Sequence, residues 1–329
     1  MTDDHVSRRR LLAALGTASA AGLAGCTVDA FDDGADTPTP SCPPYDPVEP
    51  STTAWRGQLG PPTNTGAVAA DAVPDGELTF DWEASLPTHV GHHVPVVADG
   101  TVYAHDLDDD LAAFDAATGE TLWVTDLTDP VTEPAVTGEA VYVAGDDTYV
   151  RALSPADGSE RWRTKTTARI ECNLSVVGDT LLAGTETGIV LALDAATGAE
   201  RWRHQLGPGA SDDRDGDRDR PARPGTLATD GSRVYAATDE YLVALAMTDG
   251  TPCWRDRSYQ GGYASGVAVG AGNVYVPTAE DAHLIVFDAA TGDRVQEISG
   301  ERAEHLAAGP SLAEGGLYLA GRDAVVRFS

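Results

Sequence analysis

A turn-and-tryptophan unit recurs about every 40 residues, and each period holds four short apolar runs split by turns. No sustained 3.6-residue apolar stripe occurs beyond residue 25. Together these observations predict an all-β chain, a propeller of about six four-stranded blades. The unit reads DAATGETLW at 115–123 and DAATGAERW at 194–202. SPADGSERW (154–162) and AMTDGTPCW (246–254) keep the glycine and the tryptophan, and DAATGDRVQ (288–296) keeps only the turn. The last position falls at Trp123, Trp162, Trp202, Trp254 and Gln296, in steps of 39, 40, 52 and 42 residues.

The blades are read in order from their second and third runs. The second runs are 102–104, 141–143, 181–183, 234–236, 274–276 and 317–319. The third are 111–114, 150–153, 190–193, 242–245, 284–287 and 325–328. Six blades result, and the sixth repeat ends without an outermost strand. An unassigned run, Leu78–Trp82, places Trp82 41 residues before Trp123. It is expected to complete the last blade and close the ring, hiding edges that an open sheet would expose. In three of the turns, an aspartate (Asp115, Asp194, Asp288) is suited to accept nearby backbone N–H groups. A glycine (Gly119, Gly158, Gly198, Gly250, Gly292) is suited to the positive φ of the turn. The tryptophans recur once per blade, so they are assigned to inter-blade packing rather than to ligand stacking.

Ala113, Asp115, Thr118, Gly119 and Trp123 resemble the A-x-D-x-x-T-G-x-x-x-W docking motif of the PQQ-like (pyrroloquinoline quinone) β-propeller repeat family. Ala192, Asp194, Thr197, Gly198 and Trp202 match it equally, whereas Ser154 and Ala246 replace the aspartate in two repeats. The resemblance covers roughly residues 55–329 and implies the fold. It implies two functional alternatives. One is the protein-interaction role of the outer-membrane-assembly propeller lipoproteins. The other is quinoprotein dehydrogenase chemistry. The dehydrogenases it points to are longer, with eight blades, calcium held by Glu and Asn, an aspartate base and often vicinal cysteines. This chain has no vicinal cysteines and no readable Glu/Asn/Asp calcium set, so neither PQQ nor calcium is expected.

Residues 1–26 read as an export signal. Ser7-Arg8-Arg9-Arg10-Leu11-Leu12 is a twin-arginine pattern, and the apolar stretch 11–25 is too short to span a bilayer. Leu23-Ala24-Gly25-Cys26 resembles a lipobox, with Cys26 lipidated and the mature chain anchored on the outer face of the cytoplasmic membrane. Residues 27–53, rich in Asp, Pro and Thr, are expected to be a disordered tether, with the propeller occupying 54–329. Cys42, Cys172 and Cys253 allow at most one intrachain disulfide, and the sequence does not choose the pair.

The formal net charge is −30, and Lys165 is the only lysine. Such a surface excludes nucleic acid as a partner. It resembles the proteins of salt-in halophilic archaea, for which the expectation is loss of structure at low ionic strength. The 52-residue step holds an insertion, 207–225, in which Asp and Arg alternate. It is read as a solvated loop rather than a calcium site.

Function is expected where repeats differ. Connections from one blade to the next gather His89, His92, His93, Glu133, Arg169, Glu171, Tyr263, Glu304 and His305 toward one rim. Histidines with carboxylates nearby are candidate ligands for a small molecule or divalent metal. No nucleophile motif accompanies them. The favoured reading is a non-catalytic, lipid-anchored surface scaffold for a protein partner. The alternative is a ligand- or metal-dependent surface enzyme or sensor using the histidine-bearing rim.

Overall fold

A computed structural model describes residues 42–47, 80–86, 95–105, 110–127, 132–207, 222–238, 240–257, 266–278, 284–298, 311–313, 316–320 and 325–328. All lie in the larger of two compact units, Asp33–Ser329. Every regular element among them is a strand. The first sheet is β1 (Val96–Ala98), β2 (Thr101–His105), β3 (Asp110–Asp115) and β4 (Thr121–Asp126). The second is β5 (Ala135–Val136), β6 (Val141–Ala144), β7 (Tyr149–Leu153) and β8 (Glu160–Lys165). The third is β9 (Ser175–Val177), β10 (Thr180–Gly184), β11 (Ile189–Asp194) and β12 (Glu200–Gln205). The fourth is β13 (Thr226–Thr229), β14 (Arg233–Ala237), β15 (Leu242–Ala246) and β16 (Pro252–Asp256). The fifth is β17 (Ala268–Gly270), β18 (Asn273–Pro277), β19 (Leu284–Asp288) and β20 (Arg294–Ile298). The sixth has three described strands, β21 (Ser311–Ala313), β22 (Gly316–Ala320) and β23 (Val325–Phe328).

Each sheet is an antiparallel meander in sequence order. First strands of consecutive sheets lie side by side, β1 by β5, β5 by β9, β9 by β13, β13 by β17 and β17 by β21. This is the arrangement of a β-propeller. The second and third strands of the middle blades are apolar and buried along their length, as strands covered on both faces must be. In β4 and β12 exposed residues surround one buried tryptophan.

The repeat motif builds the seams between sheets. Asp115 Oδ1 accepts the backbone N–H groups of Ala117 (3.0 Å) and Thr118 (2.8 Å), and Gly119 takes φ +73°. Trp123 of β4 then crosses to the next sheet, where its indole N–H donates to Pro155 O at 2.8 Å. A Cβ on Gly158 would sit 2.6 Å from the Trp123 ring, so only glycine admits it. Trp162 meets Ala195 O and Gly198, Trp202 meets Met247 O and Gly250, and Trp254 meets Ala289 O and Gly292 in the same way. The tryptophans are therefore inter-blade packing residues. A bulge recurs between third and fourth strands in each four-stranded sheet, between Ala113 and Phe114 in the first, and in the first four sheets it sets the outer strand's tryptophan toward its neighbour.

Two segments differ from the sequence reading where they are described. Residues 80–86 form no strand, and 78–79 lie outside the described residues. Trp82 still makes the seam contact, donating to Ala116 O at 3.1 Å and lying against Gly119. Among the described residues, the segment's contacts to the first sheet are the Trp82 ring and its indole hydrogen bond, with no strand ladder at 80–86. The tether is also ordered at 42–47, because Cys42 is bonded to Cys253 across 211 residues. Arg233 Nη2 donates to Pro43 O at 2.6 Å, Asp46 N donates to Ser232 Oγ at 3.0 Å, and Tyr45 packs on the core of the fourth and fifth sheets. Cys172 remains a buried free thiol.

Candidate functional site: a charge-paired rim

Strand direction alternates, so two kinds of loop emerge at the same end of every sheet. These are the connection between sheets and the loop joining second to third strands. At this end the described residues form ion pairs that cross from sheet to sheet. Arg169, between β8 and β9, reaches Asp146 of the second sheet (3.1 Å) and Glu186 of the third (3.0 Å). Pairing with Glu186, then with Asp146, raises the pKa of Arg169 above the ordinary arginine value. Glu171 pairs with Arg223, which follows the acidic insertion, at 3.1 Å. Arg151 pairs with Asp147 and lies over the Tyr149 ring, with Arg163 and Lys165 also beside that ring.

The insertion is pinched at its base, where Ala222 N donates to Gly207 O at 3.0 Å. Residues 208–221 lie outside the described residues. Beside the base, Arg255 covers the Tyr241 ring, 5.2 Å from its centroid. His204 faces the same region, and burial, then Arg255, lowers its pKa. Burial pushes the Tyr241 phenol up to about 12.

His89, His92, His93, Tyr263, Glu304 and His305 lie outside the described residues. Glu133 is half-buried before β5. Arg169 and Glu171 sit at the expected rim, two residues apart, but with separate partners: Asp146 and Glu186 hold Arg169, and Arg223 holds Glu171. Among the described residues, no three His, Cys, Asp or Glu side chains gather in a way that would hold a metal ion.

At the opposite end, Asp230, Arg233, Tyr235 and Tyr45 form a second polar cluster under the 42–47 strap. Tyr235 donates to Asp230 Oδ2 at 2.7 Å and to Ala289 O at 3.1 Å. Burial, then Asp230, raises the pKa values of both tyrosines, so they remain protonated donors. The Cys172 thiol is pushed up to about 12 by burial and is therefore not a thiolate nucleophile at neutral pH. These groups can order loops and bind by hydrogen bonds. None of those described is poised as a base or nucleophile.

Sequence reasoning missed Arg223, Glu186, Asp146 and the Tyr45–Asp230 cluster. These partners are 17 to 185 residues apart in the chain, and no spacing rule joins them. It also missed the Trp-x-Thr signal. Thr125 and Thr164 donate to the carbonyls of Gly158 (3.0 Å) and Gly198 (2.6 Å), the glycines their tryptophan neighbours cover.

Comparison with solved structures finds the same fold. BamB from Moraxella catarrhalis is 21% identical, with 69% of this chain and 70% of that chain covered and a TM-score of 0.57. Quinohemoprotein alcohol dehydrogenase from Comamonas testosteroni is 17% identical, with 83% and 58% covered and a TM-score of 0.63. The computationally designed Ika8 protein is 17% identical, with 74% and 73% covered and a TM-score of 0.58. At these identities the likeness concerns the fold. No curated protein matches the chain. Residues 53–298, spanning five sheets and their seams, match one family throughout, and the chain belongs to it: the family described as outer membrane protein assembly factor BamB.

Proposed function

We propose that this chain is a non-catalytic scaffold that binds another protein at the cell surface, built as six blades with the Trp82 segment closing the ring. The observation that carries the reading is where the chain's specific residues are spent. The tryptophans and glycines of the family motif are spent on seams and its aspartates and threonines on the turns that feed them, while the described rim residues Arg169 and Glu171 are held in ion pairs. Trp82 repeats on the first sheet the contact that Trp123, Trp162, Trp202 and Trp254 make on the sheets that follow theirs, which supports closure. BamB, the similar solved structure, supports protein interaction as the general role.

The Cys42–Cys253 disulfide favours an oxidising compartment, in keeping with twin-arginine export and lipidation at Cys26. Anchoring would hold the propeller on the outer face of the cytoplasmic membrane. The dehydrogenase neighbours keep a second reading in view, an enzyme or sensor at the histidine-bearing rim. One experiment separates them. The lipid-free propeller is incubated with PQQ and Ca²⁺ and assayed for dye-linked oxidation of alcohols and sugars, while the same preparation is crosslinked to solubilised membranes at high salt. A captured partner without dye reduction fits the scaffold. Turnover that depends on PQQ overturns it.

A further inference from the structure

The five described outermost strands differ in one respect. β8 carries Arg161, Arg163 and Lys165, β12 carries Arg201 and Arg203, β16 carries Arg255 and β20 carries Arg294. β4, Thr-Leu-Trp-Val-Thr-Asp, carries no base. Where β8 and β12 place arginines on either side of the tryptophan, it places Leu122 and Val124, which are 51% and 47% exposed. Among the described residues β4 pairs with β3 alone, so its outer edge presents free backbone groups. The bulge falls at Leu122, leaving Trp123–Asp126 in regular register. Charged side chains normally protect such edges from taking up another strand, and this edge lacks them over Thr121–Thr125.

The surroundings define what fits. The sequence has no Lys or Arg between Arg56 and Arg151, so the whole first sheet carries neither. The uncharged stretch is bracketed by exposed Glu120 and Asp126. A second copy of the same edge would bring these acids together. A basic-ended strand would pair them.

We propose that the outer edge of β4 takes up an extended segment of a partner protein as an added strand, apolar at its centre and bearing Lys or Arg at both ends. Backbone pairing would supply affinity, Leu122 and Val124 the apolar contact, and the flanking acids the selection. The inference rests on the scaffold reading and names one binding edge within it.

The test uses the full chain in molar KCl and a labelled peptide, Arg-Thr-Val-Thr-Val-Thr-Arg, with an Asp-ended peptide of the same core as control. Saturable binding is expected for the Arg-ended peptide, at least tenfold weaker for the Asp-ended one. Leu122→Arg/Val124→Arg, which copies residues that β8 and β12 already carry, is expected to weaken binding at least tenfold. Val295→Arg on β20 is expected to leave it unchanged. Hydrogen exchange on the wild type gives a reading independent of any variant, with slowing expected at Trp123–Asp126 on peptide addition. Equal binding by the double variant, or slowing elsewhere or nowhere, overturns the proposal. So does a wild-type dimer that the double variant converts to monomer, because a second copy would then cover the edge. If the edge fails while membrane crosslinking still captures a partner, the scaffold reading stands without it.

Discussion

At residue scale, glycine and tryptophan are one unit. Gly198 combines φ +72° with the Trp162 ring, and its Cβ would lie 2.5 Å from that ring. Gly198→Ala is expected to lower stability by roughly 2–4 kcal/mol, from backbone strain and overpacking together. Chemical denaturation would read this as a lower midpoint with unchanged slope. His204 gives a pH signature. Its pKa is lowered by burial and by Arg255, so the unfolded chain binds a proton more readily than the folded one. Stability is therefore lost as pH falls below the ordinary value of 6.5 and continues to fall until folded His204 itself protonates. Thermal melts of His204→Gln are expected to show a shallower loss over this window than wild type. Parallel curves would rule out His204 as the source. Asp194, held at about 2 by Arg201 and Thr197, acts in the other window. Its contribution is present above the ordinary 3.8 and is lost as pH falls toward 2.

At the scale of elements, the blades were legible because their signals are local and repeated. An aspartate, a glycine and a tryptophan within nine residues specify a turn and the seam it feeds. The rim was not legible, because its pairs join residues brought together only when neighbouring sheets stack. The strap was illegible for a related reason. Residues 42–47 lie in a polar stretch whose composition argues against order, and a covalent bond to β16 with a half-buried Tyr45 overrides composition. The 78–82 run had the right composition for a strand, yet its described residues take no strand and Trp82 makes the contact that seats them. Replacing Cys42 with serine is expected to cost roughly 2–5 kcal/mol, as loss of a native long-loop disulfide does. It is also expected to speed proteolysis within 42–47 specifically. An unchanged melting temperature and cleavage pattern would show that the strap is held without the bond.

At whole-molecule scale, the charge of −30 is the dominant long-range term. Screening length falls from about 10 Å at 0.1 M salt to about 3 Å at 1 M, so the carboxylates repel one another far more in dilute buffer. The circular dichroism of the propeller is expected to lose its β signal on dialysis from molar KCl into dilute buffer; an unchanged spectrum would remove the halophilic reading. A seam-built, rim-paired propeller leaves its repeat residues no free chemistry, and the account stands on its acting by binding. The most direct measurement is crosslinking of the full chain in cells that express it, at molar salt, with the mass of the recovered species determined. A discrete complex of fixed stoichiometry with another protein is the predicted result. Recovery of the chain alone, together with PQQ-dependent dye reduction by the same preparation, would contradict it.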